Sequence, residues 1–443
     1  MSEKQRETIE RPPAERMRLL RRLHAEFAFS GETLRLNLRA MLFALVTGLT
    51  VGLCGSAFVY LLDLSKTAQE TYPWAATLLP AAGLVVVWLY LKGGIRTAGG
   101  TDLIVQAARG DQPVSRVLAP VIFVSTLLTH AFGGSAGREG AALQLGGSLA
   151  ELLRRALRID GSFDDLAIMC GMSAGFSAVF GNQISAVIFA LEISCVGMLP
   201  LGALFPCAVS SITAGAVARR MGVRGVSYFL SASTPDAAFY GRVLVLGVAC
   251  GLLSILVCYT FSGVRTGMEL FFADPYHRVL VGGSVVVLLT LALDTRFYLG
   301  TGQEMIDQAM RQGSAGYLDF LWKLLFTSLT LGAGLKGGEI VPSFAIGASF
   351  GCVVGPLLGL PAPYGAAVGM IALFCGVTNC PLTALVLGFE VFLFCNPSGF
   401  LVAVAASFLV SGYGGLYSKQ KFAFSKIPAH SGTLAEEDRF YEP

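Results

Sequence analysis

The sequence predicts an all-α polytopic membrane protein, and three observations lead to that class. Of 443 residues, 54% are hydrophobic and only 14% charged, with a mean hydropathy of +0.66. Soluble domains carry about 25% charged residues. Apolar segments recur without long interruption from residue 38 to 413. Glycine reaches 53, and glycine is enriched in membrane helices, where it lets backbones approach closely. An ordinary soluble enzyme and a disordered chain are excluded on these grounds. With a formal net charge of only +3 and no basic face beyond the N-terminus, no nucleic-acid partner is expected.

Residues 1–40 stand apart, with nine basic side chains (Lys4, Arg6, Arg11, Arg16, Arg18, Arg21, Arg22, Arg35, Arg39) against six acidic ones. The first apolar run begins too late, and lacks the small-residue cleavage pattern, for a signal peptide. Leu19, Leu20, Leu23 and Phe27 fall at helical spacing, which predicts an interfacial amphipathic helix. The arginine excess beside the first span places the N-terminus in the cytoplasm. Apolar segments then follow at 38–65, 76–92, 117–132, 141–153, 166–197, 199–218, 240–262, 278–295, 320–335, 342–360, 364–378, 381–396 and 398–413. A full span needs about 20 residues. Several segments are shorter and are broken by glycine or proline, which is tolerated at membrane depth only where helices line a cavity or pack inside protein. The reading divides the chain into a basic segment 1–37, halves 38–222 and 223–425, and a polar tail 426–443. The tail is too short for a cytoplasmic regulatory domain. The 10 cysteines occur singly with no CxxC pair, so buried free thiols are expected, and no cofactor, zinc site or disulfide framework.

An internal repeat supports the two halves. Gly100-Thr101 recurs as Gly300-Thr301, and Ile104, Gln106, Ala107 and Arg109 match Ile306, Gln308, Ala309 and Arg311. Gly137-Arg138-Glu139 recurs as Gly337-Gly338-Glu339, and Gln183 to Glu192 (QISAVIFALE) matches Pro381 to Glu390 (PLTALVLGFE). These blocks stay collinear at an offset of about 200, which chance rarely produces. Such a plan points to a transporter with its site at the repeat interface, in parallel or inverted arrangement.

Candidate chemistry lies in the repeated blocks. Glu139 sits in GGSAGREGAALQLGG, where a helix starting just after Gly140 would offer free backbone N–H groups to an anion. A carboxylate there is itself an anion, so it can occupy the site in place of a substrate ion and leave when protonated. The ordinary alternative is a capping glutamate paired with Arg138, but an ionisable residue in an apolar, glycine-rich membrane segment is a functional candidate. Glu339, in LKGGEIVPSFAIGA, holds the equivalent place, with Pro342 suited to a first helical turn and a salt bridge to Lys336 as its alternative. Gly99 to Asp102 can open a third helix, with Thr101 or Asp102 either capping it or contacting an ion. Glu192 and Glu390 end matching segments, which suggests a structural role. Tyr413 and Tyr417 follow the last span, where interface anchoring is the common use. Two other motifs lack their context. GxGxxG at 332–337 has no strand before it, and GxSxG around Ser349 would need a histidine partner, for which only His130 and His277 lie outside the termini.

On these residues the sequence resembles the CLC family of chloride channels and anion/proton antiporters, over about residues 38–420. GREG at Gly137 to Gly140 is similar to that family's gating signature. THAFGGSAGREG (Thr129 to Gly140) and GGEIVP (Gly337 to Pro342) resemble the fluoride/proton antiporter branch, as does GGTDLI (Gly99 to Ile104). GGLYSKQ (Gly414 to Gln420) resembles the segment with the pore tyrosine and favours Tyr417 over Tyr413. The resemblance implies a CLC-type inverted repeat of broken, tilted helices, a homodimer in a bacterial-type plasma membrane with cytoplasmic termini, and Glu139 as gate and proton acceptor. It places the anion among Thr101, Arg138, Gly140, Glu339, Ile340, Val341 and Tyr417. The transported partners it implies are fluoride or chloride ions and protons. The family's second proton glutamate would fall at Ile193, so it is absent, as in the fluoride branch. Ala141 and Val341 stand where that branch has threonines, and Thr101 where it has Asn or Met. The expected activity is fluoride export in exchange for protons. A chloride/proton antiporter or a chloride channel of the same fold is the alternative. Fluoride, being small, needs close and strong hydrogen-bond donors to offset its desolvation. Backbone amides, Thr101, Tyr417 and a protonated Glu339 can supply them.

Overall fold

A computed structural model describes residues 13–95, 100–159, 164–230, 235–423 and 425–426, with side chains from residue 34 onward. The first half contains α1 (Pro13–Thr71), α2 (Leu79–Lys92), α3 (Asp102–Ala107), α4 (Leu118–Ala131), α5 (Glu139–Ala156), α6 (Asp164–Phe180), α7 (Gln183–Glu192) and α8 (Leu204–Arg220). The second repeats this series: α9 (Ala237–Phe271), α10 (Pro275–Ala292), α11 (Gln303–Asp307, continued by a π turn to Gln312), α12 (Asp319–Gly332), α13 (Ile340–Leu357), α14 (Ala362–Thr378), α15 (Pro381–Val391) and α16 (Pro397–Val410). Among the described residues the strand content is one parallel pair, β1 (Cys195–Val196) with β2 (Lys421–Phe422). The molecule is thus an all-helical inverted repeat. Among the described residues, six helices are long and apolar enough to cross a membrane, and five further apolar helices are shorter.

Two features depart from the sequence expectation. The apolar stretch 166–197 is two helices, broken at Gly181 (φ 82°), where an added Cβ would lie 2.4 Å from the Gly225 Cα. Asn379 (φ 55°) makes the equivalent break between α14 and α15. The basic segment is also no separate helix, because α1 runs unbroken from Pro13 into the first span. The amphipathic face expected from Leu19, Leu20, Leu23 and Phe27 lies outside the described side chains, and most of the polar tail lies outside the described residues.

Glycine sets the close helix crossings, in the same way in both halves. On α5, a Cβ at Gly146 would lie 2.1 Å from the Gly171 carbonyl oxygen of α6. On α13, a Cβ at Gly351 would lie 2.1 Å from the Gly365 carbonyl oxygen of α14. Without a hydrophobic driving force between helices in lipid, such backbone approach supplies the van der Waals packing that holds them.

Among the contacts that join the halves, two lie in the buried interior and on its flank. Phe176, Phe180, Phe344, Phe374 and Phe189 form a closed ring of neighbours with centroids 5.0–5.8 Å apart, all buried. Such offset and tilted pairs are favourable arrangements of aromatic quadrupoles. Glu192, ending α7, accepts the backbone N–H groups of Leu382 (3.1 Å) and Thr383 (2.8 Å) at the start of α15. Glu390 in turn accepts those of Ile184 (2.9 Å) and Ser185 (2.8 Å) at the start of α7. Each half therefore caps the other with the repeated glutamate, and in a membrane these orphan N–H groups have no water to turn to.

The glycine crossings predict a steric effect. Gly146→Ala should cost about 1–3 kcal/mol or more, because its methyl group meets backbone on both sides. Thermal unfolding of the detergent-solubilised protein should shift down by several degrees. Gly241→Ala, with nothing within 4 Å of the new Cβ, should melt like the wild type.

Candidate functional site

The site is built where α5 and α13 point their N-termini at each other. The loops ahead of them pair as an isolated antiparallel bridge, Gly137 N–H to Gly338 O at 2.6 Å and Gly338 N–H to Gly137 O at 2.7 Å. Both positions need glycine. A Cβ at Gly137 would lie 2.9 Å from Pro342 Cδ, and one at Gly338 would lie 2.6 Å from the Gly140 nitrogen. The first intrahelical returns are Ala142 N–H to Arg138 O (2.9 Å) and Ser343 N–H to Glu339 O (3.1 Å). The amides of Gly140 and Ala141, and of Ile340 and Val341, precede those returns. Pro342 has no N–H to satisfy. Two sets of helix-end donors thus converge, which is an anion-binding arrangement.

Glu139 is 1% exposed and opens α5 itself, two residues earlier than the sequence suggests. Its Oε2 accepts the Arg138 N–H at 3.0 Å, while its Oε1 has no hydrogen-bond partner among the described residues. The Arg138 guanidinium pairs only loosely with it, Nε to Oε1 at 3.7 Å, and reaches Asp63 at 3.9 Å. The capping and pairing alternative therefore leaves half of this carboxylate unaccounted for. Glu339 is the N-cap residue of α13 but makes no side-chain cap. Its Oε2 also lacks a partner, and it lies 3.6 Å from where a Gly140 Cβ would stand. Lys336 attracts that carboxylate and rests its ammonium over the Tyr90 ring at 4.5 Å.

Thr101 precedes α3, is buried, and makes no side-chain cap. Its hydroxyl instead faces Gly140, 2.9 Å from the ideal Cβ position, and accepts from Gln144 Nε2 at 3.4 Å. Of the two tyrosines, Tyr413 is engaged with Ser425 (2.9 Å) and the Lys426 N–H (3.0 Å). Tyr417 is buried, its hydroxyl has no partner, and it feels the charges of Glu339, Asp102 and Glu139. The structure thus brings Thr101, Gly140, Glu139, Glu339, Ile340, Val341 and Tyr417 to one place, with Arg138 at its edge.

Sequence reasoning missed the residues that hold these groups. Lys323 is fully buried in α12, and its ammonium donates to Ser135 Oγ (3.0 Å), Tyr298 O (3.1 Å) and Gly300 O (2.8 Å), tying the loop ahead of α5 to the loop ahead of α11. The strap bearing Tyr417 is anchored by Gln420, which donates to Ile193 O (3.1 Å) and Thr378 O (3.0 Å), and by Lys426, which donates to Asn379 (2.6 Å) and Ser411 (3.1 Å). Arg109 also donates to the strap at Lys419 O. A lysine inside an apolar segment was the available signal for Lys323; the strap anchors left none. Ser349 of the GxSxG match is buried within α13, far from the strand–turn–helix context that motif requires.

Two cavities reach this place. One of about 890 Å³ touches Glu139, Arg138, His130, Phe180 and Val341, and is bordered by the C-terminal end of α1. The other, about 160 Å³, touches Glu339, Gly100, Gln144 and Leu416, and is bordered by the C-terminal part of α9. One glutamate of the repeated pair thus faces each cavity.

Comparison with known proteins agrees with this architecture. The sequence model of the family described as "Voltage gated chloride channel" matches residues 82–412. A "Chloride/fluoride channel protein" of Pseudomonas syringae pv. tomato is 34% identical over 408 residues, 89% of each chain. An "H(+)/Cl(-) exchange transporter ClcA" of Vibrio cholerae is 26% identical, covering 78% of this chain and 80% of its own. The crystal structure of a CLC-type fluoride/proton antiporter superposes with a TM-score of 0.83 at 31% identity, covering 87% of this chain and 98% of that one. A slow cyanobacterial Cl⁻/H⁺ antiporter shares the fold with a TM-score of 0.75 at 20% identity, over 84% and 94% of the two chains. With its paired helix N-termini and its inverted repeat, the chain belongs to the voltage gated chloride channel family, the CLC family of anion transporters and channels.

Proposed function

We propose that this protein exchanges fluoride for protons across a bacterial plasma membrane, with Glu139 as gate and proton acceptor. The observation that carries the reading is the Glu139 carboxylate, buried at the N-terminus of α5 between the larger cavity and the Gly137–Gly338 bridge, with one oxygen that accepts no hydrogen bond. An ionised carboxylate in that place competes with an anion for the same donors. Protonation from the cavity removes its charge, so it releases the donors and an anion takes its place. Transport of one species then requires the other.

Glu339, the Ile340 and Val341 amides, the Gly140 amide, Thr101 and Tyr417 form the anion position in this reading. Each is a donor or, for Glu339, a donor once protonated. The kinship to a fluoride/proton antiporter at 31% identity favours fluoride. The basic start of α1 assigns the N-terminus to the cytoplasm. Since α1 is an apolar span from Leu34 to Thr71 and its far end borders the larger cavity, Glu139 faces outward and Glu339 inward. The halves 38–222 and 223–425 each supply one helix N-terminus. One chain holds a complete pathway, and the assembly is a homodimer with one pathway per protomer.

The missing hydroxyls favour a second reading. Ala141 and Val341 leave two donors fewer for a small anion, which suits chloride/proton exchange or a chloride channel.

Three outcomes test the proposal. Liposomes carrying the purified protein should release fluoride with proton uptake and little chloride, read by ion-selective electrodes and external pH. Equal or larger chloride flux would establish the second reading. Glu139→Gln should abolish proton movement against an anion gradient; persistent coupling would remove Glu139 from the gate. Val341→Thr adds one donor worth about 1 kcal/mol, so it should raise the fluoride-to-chloride flux ratio roughly fivefold.

A further inference from the structure

Exchange needs a group that takes the proton on the inner side and gives it to water. Glu269 and Glu339 border the smaller cavity, beside Arg265, Arg278 and Lys336. Glu269 is committed to the two arginines, at 3.5 Å from each. Asp102 is a further carboxylate at this place. Ser418 donates to its Oδ2 at 2.7 Å, and Ser418 and Gly100 both border the cavity. Asp102 opens α3 directly after Thr101, and Ser418 directly follows Tyr417. This one bond therefore ties together the two segments whose hydroxyls serve the proposed anion position. Anchoring uses one oxygen only. The other, Oδ1, is buried and has no hydrogen-bond partner among the described residues, and a buried polar atom left in this way calls for an explanation. Arg265 of α9 and Lys419 of the strap attract the Asp102 carboxylate, while it and Glu339 of α13 repel each other. The Tyr417 hydroxyl feels both carboxylates.

The geometry points to Asp102 as the inner proton station, which takes protons from Glu339 and passes them to water in the smaller cavity. The inference rests on the proton exchange proposed above and adds the residue that completes its inner end. In the step, the O–H bond of protonated Glu339 breaks and an O–H bond forms at Asp102 Oδ1. Glu339 is left as a carboxylate, Asp102 becomes neutral, and nothing is oxidised or reduced. The cavity of about 160 Å³ is large enough to hold water, and its polar lining supplies partners for it. The proton crosses on that water where the two carboxyl groups do not touch. Two carboxylates that repel each other relieve the repulsion when one proton sits on either of them. The pair therefore holds a proton in common until inner water removes it. The Ser418 hydroxyl steadies the ionised form of Asp102, which favours that release.

The test uses the full-length protein in liposomes, with fluoride efflux and proton uptake recorded together at several symmetrical pH values. Asp102→Asn keeps the side-chain shape and an oxygen for Ser418 but cannot titrate. It should lower the proton-to-fluoride ratio about tenfold, less than the roughly 10²–10⁴-fold of a positioned acid–base group, because water replaces part of the relay. Asp102→Glu returns a titratable oxygen and should recover most of the ratio. A ratio within twofold of wild type in an Asp102→Asn protein that purifies normally overturns the station. Strap anchoring alone would slow both fluxes together and leave the ratio where it was. Should Asp102→Asn fail to fold, Ser418→Ala decides. It keeps the carboxylate but removes a donor to its charged form, so the pH of half-maximal proton uptake should rise by roughly one unit. No shift in that variant overturns the station. If the wild type moves chloride, the same ratio is read with chloride. If it moves anions without protons, the exchange reading fails and Asp102 falls with it. Coupled transport by the wild type and an unchanged ratio in Asp102→Asn remove Asp102 alone.

Discussion

The rest of this structure depends on backbone N–H groups that end inside the membrane. A helix that stops at mid-depth leaves its first amides without acceptors, and hydrocarbon offers none. Here α5 and α13 stop facing each other, and each gives up one loop amide to the Gly137–Gly338 bridge. The amides left over converge on one small space. An anion, or a carboxylate standing in for one, is what completes them. The site is thus a consequence of how two broken helices meet.

The same constraint is met in a second way on the flank. The starts of α7 and α15 are capped by Glu390 and Glu192, each glutamate serving the other half. Those carboxylates are fully used, so they are structural. Glu139 and Glu339 are chemically the same residue type in a similar setting, yet each keeps an oxygen without a hydrogen bond and borders a cavity. Unfilled bonding capacity next to open space separates the pair proposed to carry transport from the capping pair. The same criterion separates Tyr417, with its free hydroxyl, from Tyr413, which is hydrogen-bonded.

On the proposed reading, ion choice follows from how tightly these donors can close on their ligand. Glycine at 137, 140 and 338 lets two helix ends approach within van der Waals contact, which shortens the space between donors. Thr101 is positioned by Gln144 rather than spent on capping α3. Against this, Ala141 and Val341 present methyl groups. Compact geometry and a reduced donor count act in opposite directions on a small anion, so selectivity is set by their balance.

The sequence by itself determined the membrane class, the two-fold repeat, the helix ends at Glu139 and Glu339 and the importance of GREG. These are local properties: hydropathy, spacing, and the glycine and proline that end helices. The tertiary structure alone decided which glutamates are free, since that depends on partners about 200 residues away. It also decided that 166–197 breaks at Gly181, where the chain turns at positive φ with the Gly225 backbone packed too close for any side chain. The buried anchors Lys323, Gln420 and Lys426 hold loops from distant parts of the chain, and the cationic cavity at Arg265, Arg278 and Lys336 assembles from three separate segments. No periodicity encodes such meetings. They arise when the inverted halves pack and each buried polar group must find its partner in the other.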